Sequence, residues 1–131
     1  MKIIGNILKW VWQLPQHLIA VALKYSFYPW MNKGGEVRDC KIIETYVIPS
    51  GVCLGKYIFV SPEVSDTTIL HECGHSKQSL YLGPLYLIGI GIPSAIHSIV
   101  WSISYKLGKK WNYYSFYTEK WADKLAHITR K

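Results

Sequence analysis

His71-Glu72-Cys73-Gly74-His75 lies inside the stretch "TILHECGHSKQS". On a helix, two imidazoles at i and i+4 share a face and can turn to one ion. Imidazole nitrogen at that spacing suits zinc. Glu72 is rotated about 100° from His71, so it is placed to take a proton from a zinc-bound water rather than to bind the metal. Zinc lowers the pKa of such a water, and hydroxide then exists near neutral pH. Gly74 weakens a helix by roughly 1 kcal/mol relative to Ala; close approach of another backbone or of a substrate would be a reason for it. The bland alternative is a polar helix face with two surface histidines.

A catalytic zinc needs a third protein ligand and an open fourth position. The chain has only eight acidic residues to offer. Gln78 and Tyr81 stand where a metzincin would continue with Gly and His, which closes that route. His97 sits in an apolar segment, where a lone histidine is more often packed than ligating. Glu119 and Asp123, in "TEKWADKLA", are i and i+4 on an expected helix. Glu119 is the candidate third ligand, with His97 and Asp123 next in line. Asp123 would accept the free N–H of a zinc-bound histidine and fix its tautomer. Lys120 and Lys124 beside them keep a plain solvated acidic face as the alternative.

The elements that must hold these groups can be read along the chain. The 131 residues suit one domain with a modest core, 1–131. Residues 5–28 predict an amphipathic helix lying in a membrane interface, with an ordinary core-facing helix as the alternative. Lys9, Gln13, Gln16, His17 and Lys24 lie near one face, apolar residues fill the rest, and Pro15 starts or kinks its main part. A signal peptide is set aside because polar residues interrupt the apolar run it needs. Residues 31–39 read as a loop. Residues 41–60 read as β, with strands at 41–48 and 52–60 around a turn at Pro49-Ser50-Gly51, as a hairpin or through a longer connection. A helix over 66–82 carries the two histidines, capped by Ser65 or Asp66 and stopped by Gly83-Pro84. Residues 84–105 are apolar, and a helix over 115–130 carries Glu119 and Asp123. The expected class is α+β, mostly α.

These motifs together resemble the zinc signature of gluzincin metallopeptidases. The order His71-Glu72-x-x-His75, then Glu119-x-x-Ala122-Asp123, is most similar to the membrane group that includes the CAAX prenyl proteases and the heat-shock protease X family. The resemblance covers about residues 52–82 and 115–127. It implies a minimal core of a small sheet and two ligand helices holding one zinc ion. His71, His75 and Glu119 would be the ligands, Glu72 the catalytic base and Asp123 a supporting group. "GKYIFVSP" is similar to that group's upstream strand, which implies that an extended substrate pairs along Tyr57, Ile58, Phe59 and Val60. Tyr113, Tyr114 and Tyr117 are the candidates for a transition-state donor by chemistry and proximity in sequence.

Half of the residues are hydrophobic and only 18% are charged, while the net charge is +7. That combination favours an anionic membrane surface and speaks against nucleic acid, for which no clustered basic stripe is present. Three cysteines with no CxxC pair suit a reducing compartment, and Cys73 reads as a small buried hydrophobe. From Gln78 to Tyr105 there is no charged residue, a length sufficient for a bilayer. A single crossing would separate the two ligand helices by about 30 Å, unless the site itself sat at membrane depth. The glycines and Pro93 therefore predict a hairpin that re-enters or spans the membrane twice, flanked by Lys77 and by Lys106, Lys109 and Lys110 on the cytoplasmic side; the same hairpin as the core of a soluble domain is the alternative. The expectation is a membrane-associated zinc metallopeptidase facing the cytoplasm, acting on a peptide or membrane-protein substrate. Two rivals stand beside it: a non-enzymatic basic membrane-binding protein, and a zinc enzyme for a non-peptide bond.

Overall fold

The computed structural model describes residues 2–48 and 50–130. The class is α+β, mostly α: a four-stranded mixed sheet with helices on both faces. The chain runs α1 (Lys2–Trp12), α2 (Leu14–Ser26), β1 (Asn32–Val37), β2 (Cys40–Glu44), β3 (Gly51–Leu54), β4 (Tyr57–Val60), α3 (Asp66–Leu82), α4 (Ile92–Lys106) and α5 (Tyr117–Ala126). Sheet order is β1-β2-β4-β3. β2 and β4 pair in parallel, Lys41 opposite Tyr57 to Glu44 opposite Val60. The other pairs are antiparallel.

The strand expectations need correction. Residues 41–48 and 52–60 do not form a hairpin. Gly55-Lys56 splits the second stretch into β3 and β4, and that is the hairpin. At Gly55, φ is +72 and a Cβ would strike the His17 ring, so glycine both makes the turn and lets α2 approach. The segment read as a loop holds β1, an exposed edge strand whose polar, glycine-containing sequence carries little β propensity. Pro49, part of the expected turn, lies outside the described residues.

Two apolar clusters lie on the two sheet faces. Cys40, Ile42, Cys53, Ile58, Val60 and Cys73 join the sheet to α3. Ile43, Leu54 and Phe59 meet Ala20 and Leu23 of α2, with Leu87 beside them. Cys73 is the small buried hydrophobe expected. β4 is covered on both faces, which is why it reads as an unbroken apolar run. Ser65 caps α3 by accepting from Thr68 N–H at 3.3 Å, and Gly83 ends it.

The N-terminal stretch is two helices, broken at Gln13, with Pro15 in the first turn of the second. The polar residues at the break and on α2 face inward. Gln13, Gln16 and His17 are buried, while Ile3, Ile7, Val11, Leu14, Leu18 and Val21 are exposed. Gln16 Nε2 donates to Ser79 Oγ (2.6 Å) and Gly83 O (3.0 Å), and Ser79 donates to Gln13 Oε1 (2.6 Å). Lys56 N–H donates to His17 Nε2 at 3.1 Å, so His17 Nδ1–H donates to Trp10 O. These bonds make the buried polar stripe an anchor onto the domain.

Residues 84–105 do not form a hairpin either. Leu87–Gly91 is a π-helical segment that runs straight into α4. Pro93 sits in the first turn of α4, where the hydrogen-bond register changes and a missing N–H costs least. The result is one 20-residue apolar helix, Leu87–Lys106, the one helix among the described residues long and apolar enough to cross a membrane.

Candidate metal centre and cleft

Two helices converge on the candidate centre. His71 and His75 project from the buried face of α3. Glu119 and Asp123 project from α5, where Thr118, Glu119, Ala122, Asp123 and Ala126 form one buried face. This corrects the solvated-acidic-face alternative, and burial likewise removes the surface-histidine one. α3 and α5 cross backbone to backbone at Gly74: a Cβ there would lie 2.0 Å from the Ala122 carbonyl oxygen. The reason for glycine is thus the approach of another backbone.

His71, His75 and Glu119 offer ligand atoms that all lie within 4.8 Å of one another. The Nε2 atoms of His71 and His75 reach Glu119 Oε2 at 2.8 and 2.7 Å. Each ring is oriented from behind. His71 Nδ1–H donates to Asp123 Oδ1 at 2.7 Å, as the motif predicts. His75 Nδ1–H donates to Gln78 Oε1 at 2.6 Å, and Gln78 Nε2 donates to Thr118 O. Both imidazoles therefore present Nε2 to the same point. Two imidazoles and a carboxylate, with their tautomers set by outer partners, fit zinc.

Burial opposes a charge on His75, but the Glu119 hydrogen bond and the Glu72 and Glu119 charges raise its pKa to about 9. For Glu119 burial works upward, yet the two histidine hydrogen bonds hold its pKa well below the usual carboxylate range. Glu72 is buried, and desolvation raises its pKa despite the nearby histidines. It lies beside the ligand atoms, against Gly51 of β3, where a Cβ would be 3.1 Å from its Oε1.

A cavity of about 480 Å³ opens next to the centre, walled by β3 on one side and α4 on the other. Glu72, His75, Glu119, Ser94, Ser98 and Tyr113 supply its polar groups. The expected substrate strand is misplaced. Ile58, Phe59 and Val60 are fully buried and β4 has partners on both sides; Tyr57 turns to Trp10 Nε1, 3.2 Å from its hydroxyl. The edge strand at the cleft is β3. Ser61 N–H donates to Ser50 O, so alternation aims the N–H and C=O of Gly51 and Cys53 away from β4. The Cys53 carbonyl already accepts the Tyr86 hydroxyl.

The three tyrosines separate in space. The Tyr113 hydroxyl donates to Glu119 Oε1 at 3.3 Å and lines the cleft. The Tyr114 ring packs edge-on against His71, with Arg130 3.3 Å above its centroid. Tyr117 is exposed and donates to Gly89 O, away from the centre. His97, the reserve ligand, meets Tyr113 O and stacks on Phe116.

No family model, curated protein or solved structure matches the chain. Its geometry therefore carries the functional argument alone. Three groups of this centre have no counterpart in the sequence reading. Gln78 is three residues after His75 on the same face, a spacing that could have revealed it. Ser94 donates to Glu119 Oε1 from within an apolar helix. Arg130 grips Asp123 through Nε (2.6 Å) and Nη2 (3.1 Å), with no sequence signal.

Proposed function

We propose that the protein is a membrane-associated zinc metallopeptidase whose active site faces the cytoplasm. The observation that carries this reading is the meeting of two oriented imidazoles and a carboxylate at one point, with Glu72 beside it in a cleft. His71, His75 and Glu119 are the proposed ligands of one zinc ion. When bound, zinc would supply an acidified water and a polarised carbonyl. Glu72 takes the proton of the attacking water. Its raised pKa suits both accepting that proton and delivering it to the leaving amine as the C–N bond breaks. Asp123 and Gln78 keep the histidine tautomers fixed, and Arg130 keeps Asp123 in place.

Tyr113 is the proposed donor to the developing oxyanion. Burial, then the Glu119 charge, raises its pKa and keeps the phenol protonated. An extended peptide would pair with the outer edge of β3 at Gly51, in place of Tyr57–Val60. The apolar wall from α4, including Ile92 and Ile99, suits apolar side chains from a peptide at the membrane.

The test is cleavage of a quenched fluorescent peptide library by purified, zinc-loaded protein, wild type beside Glu72→Gln. Wild type cleaves; the variant keeps its zinc and loses at least a hundredfold in rate, on the order of a general base's contribution. Equal rates in the two proteins would refute this role for Glu72 and the peptidase reading with it.

A further inference from the structure

The long apolar helix poses a conflict. At 20 residues and about 1.5 Å per residue it matches a bilayer's hydrocarbon. Yet the chain turns back along it. Trp101 Nε1 donates to Trp111 O, His97 Nε2 meets Tyr113 O, and Tyr117 donates to Gly89 O. Residues 111–117 therefore retrace the helix from its C-terminal half to its start. That return is a short 3₁₀ turn and irregular chain, with Trp111, Asn112 and Ser115 exposed. Hydrocarbon does not tolerate irregular, lipid-exposed backbone. A helix crossing the bilayer would drag this segment through it.

The faces of the helix point to another placement. Ser94, His97, Ser98 and Trp101 turn to the cleft and the returning chain. Ile88, Ile96 and Ile103 lie away from the cleft and Ile92 and Ile99 at its rim; together they form an outward stripe, each exposed by more than half. α2 shows the same pattern, with Gln16 and His17 buried and Leu14, Leu18 and Val21 outward; α1 has no buried residue and exposes Ile3, Ile7 and Val11. They attach near the start of this helix, through Gln16 on Gly83 and Trp12 on Leu80. Charge follows the same division. All eight acidic residues lie in 36–72 and 119–123; residues 1–35 and 73–118 contain lysine and no acid. Lys2 and Lys9 on α1, Lys106 at the end of α4, and Lys109 and Lys110 after it are exposed beside the apolar stripes.

We infer that α1, α2 and the Leu87–Lys106 helix lie in the plane of one anionic leaflet, so that the protein enters the membrane from one side and does not cross it. The isoleucine stripe and the outer faces of α1 and α2 sit among acyl chains, and the lysines meet anionic headgroups. The cleft, whose wall is the same helix, then opens beside the interface, where a membrane-held peptide can reach it. This deepens the proposed function by fixing how the enzyme sits, and its tests need neither zinc nor hydrolysis.

Two experiments on the full chain decide it. Vesicles of phosphatidylcholine with phosphatidylglycerol should bind the protein, vesicles of phosphatidylcholine alone far less. Ile96→Asp, at an exposed position, should weaken binding about tenfold, the loss expected for one aliphatic side chain withdrawn from lipid. In cells, Thr67→Cys, exposed in the first turn of α3, and Lys109→Cys after α4 should react with a membrane-impermeant maleimide from the same side. The parent chain, whose cysteines are buried, sets the background. Labelling from opposite sides would show a crossing and overturn the inference. So would failure to bind anionic vesicles, or a stable dimer that hides the stripe instead of lipid.

Discussion

Replacing Gly74 by alanine separates two accounts of that residue by the sign of the effect. Propensity alone says that Ala in a helix interior gains about 1 kcal/mol over Gly. Here the added Cβ would lie 2.0 Å from Ala122 O, 2.7 Å from its carbonyl carbon and 3.0 Å from its Cα. All three are backbone atoms of a packed helix and cannot rotate aside. With ordinary contact at 3.4 Å, α5 must retreat by about 1 Å or more. Overpacking of this kind costs about 1–3 kcal/mol, and backbone against backbone belongs at the upper end. The net expectation is a loss of about 1–2 kcal/mol. Glu119 moves with Ala122 on the same helix, whereas metal–ligand distances hold to about 0.2 Å. Zinc affinity should therefore fall by more than tenfold. Thermal melts of metal-free protein and zinc titration against a chelator read both effects. A higher melting temperature with unchanged zinc affinity would refute the α3–α5 crossing as the reason for Gly74.

Three further outcomes follow. Gln78→Ala should keep the fold but weaken zinc about 10- to 100-fold, the usual effect of losing an outer hydrogen bond to a ligand, read in the same titration. Tyr113→Phe should retain zinc and lower kcat by roughly tenfold or more, with KM little changed in the peptide assay. The third concerns pH. His75 has a folded pKa of about 9 against an ordinary 6.5, so its stabilisation of metal-free protein is full below pH 6.5 and fades as pH rises through 9. Zinc must displace that proton, so zinc affinity should rise over the same interval and binding should release protons. Melts with and without zinc, and calorimetry in buffers of different ionisation enthalpy, check the opposite slopes.

The candidate site was largely legible because helical spacing alone brings His71 to His75 and Glu119 to Asp123. What closes the site was not. Ser94 and Arg130 come from elements whose placement depends on how the whole chain folds back. Tyr57–Val60 misled through resemblance, although four consecutive apolar residues mark a strand covered on both faces. The edge belongs to β3, which is only four residues long. The glycines and Pro93 suggested a hairpin because each disfavours a helix alone; a π segment absorbs them. α1 and α2 were read as amphipathic, but which stripe faces the protein is a tertiary matter. Gln13, Gln16 and His17 find partners inside the domain, which leaves the apolar stripe outside.

Metal content bears most directly on the central claim that His71, His75 and Glu119 form one zinc site. Wild type and Glu119→Ala should be purified together, loaded with zinc, dialysed and measured by elemental analysis alongside circular dichroism. The account predicts about one zinc per wild-type chain and markedly less in a folded variant. No zinc in wild type, or equal zinc in both, would contradict it.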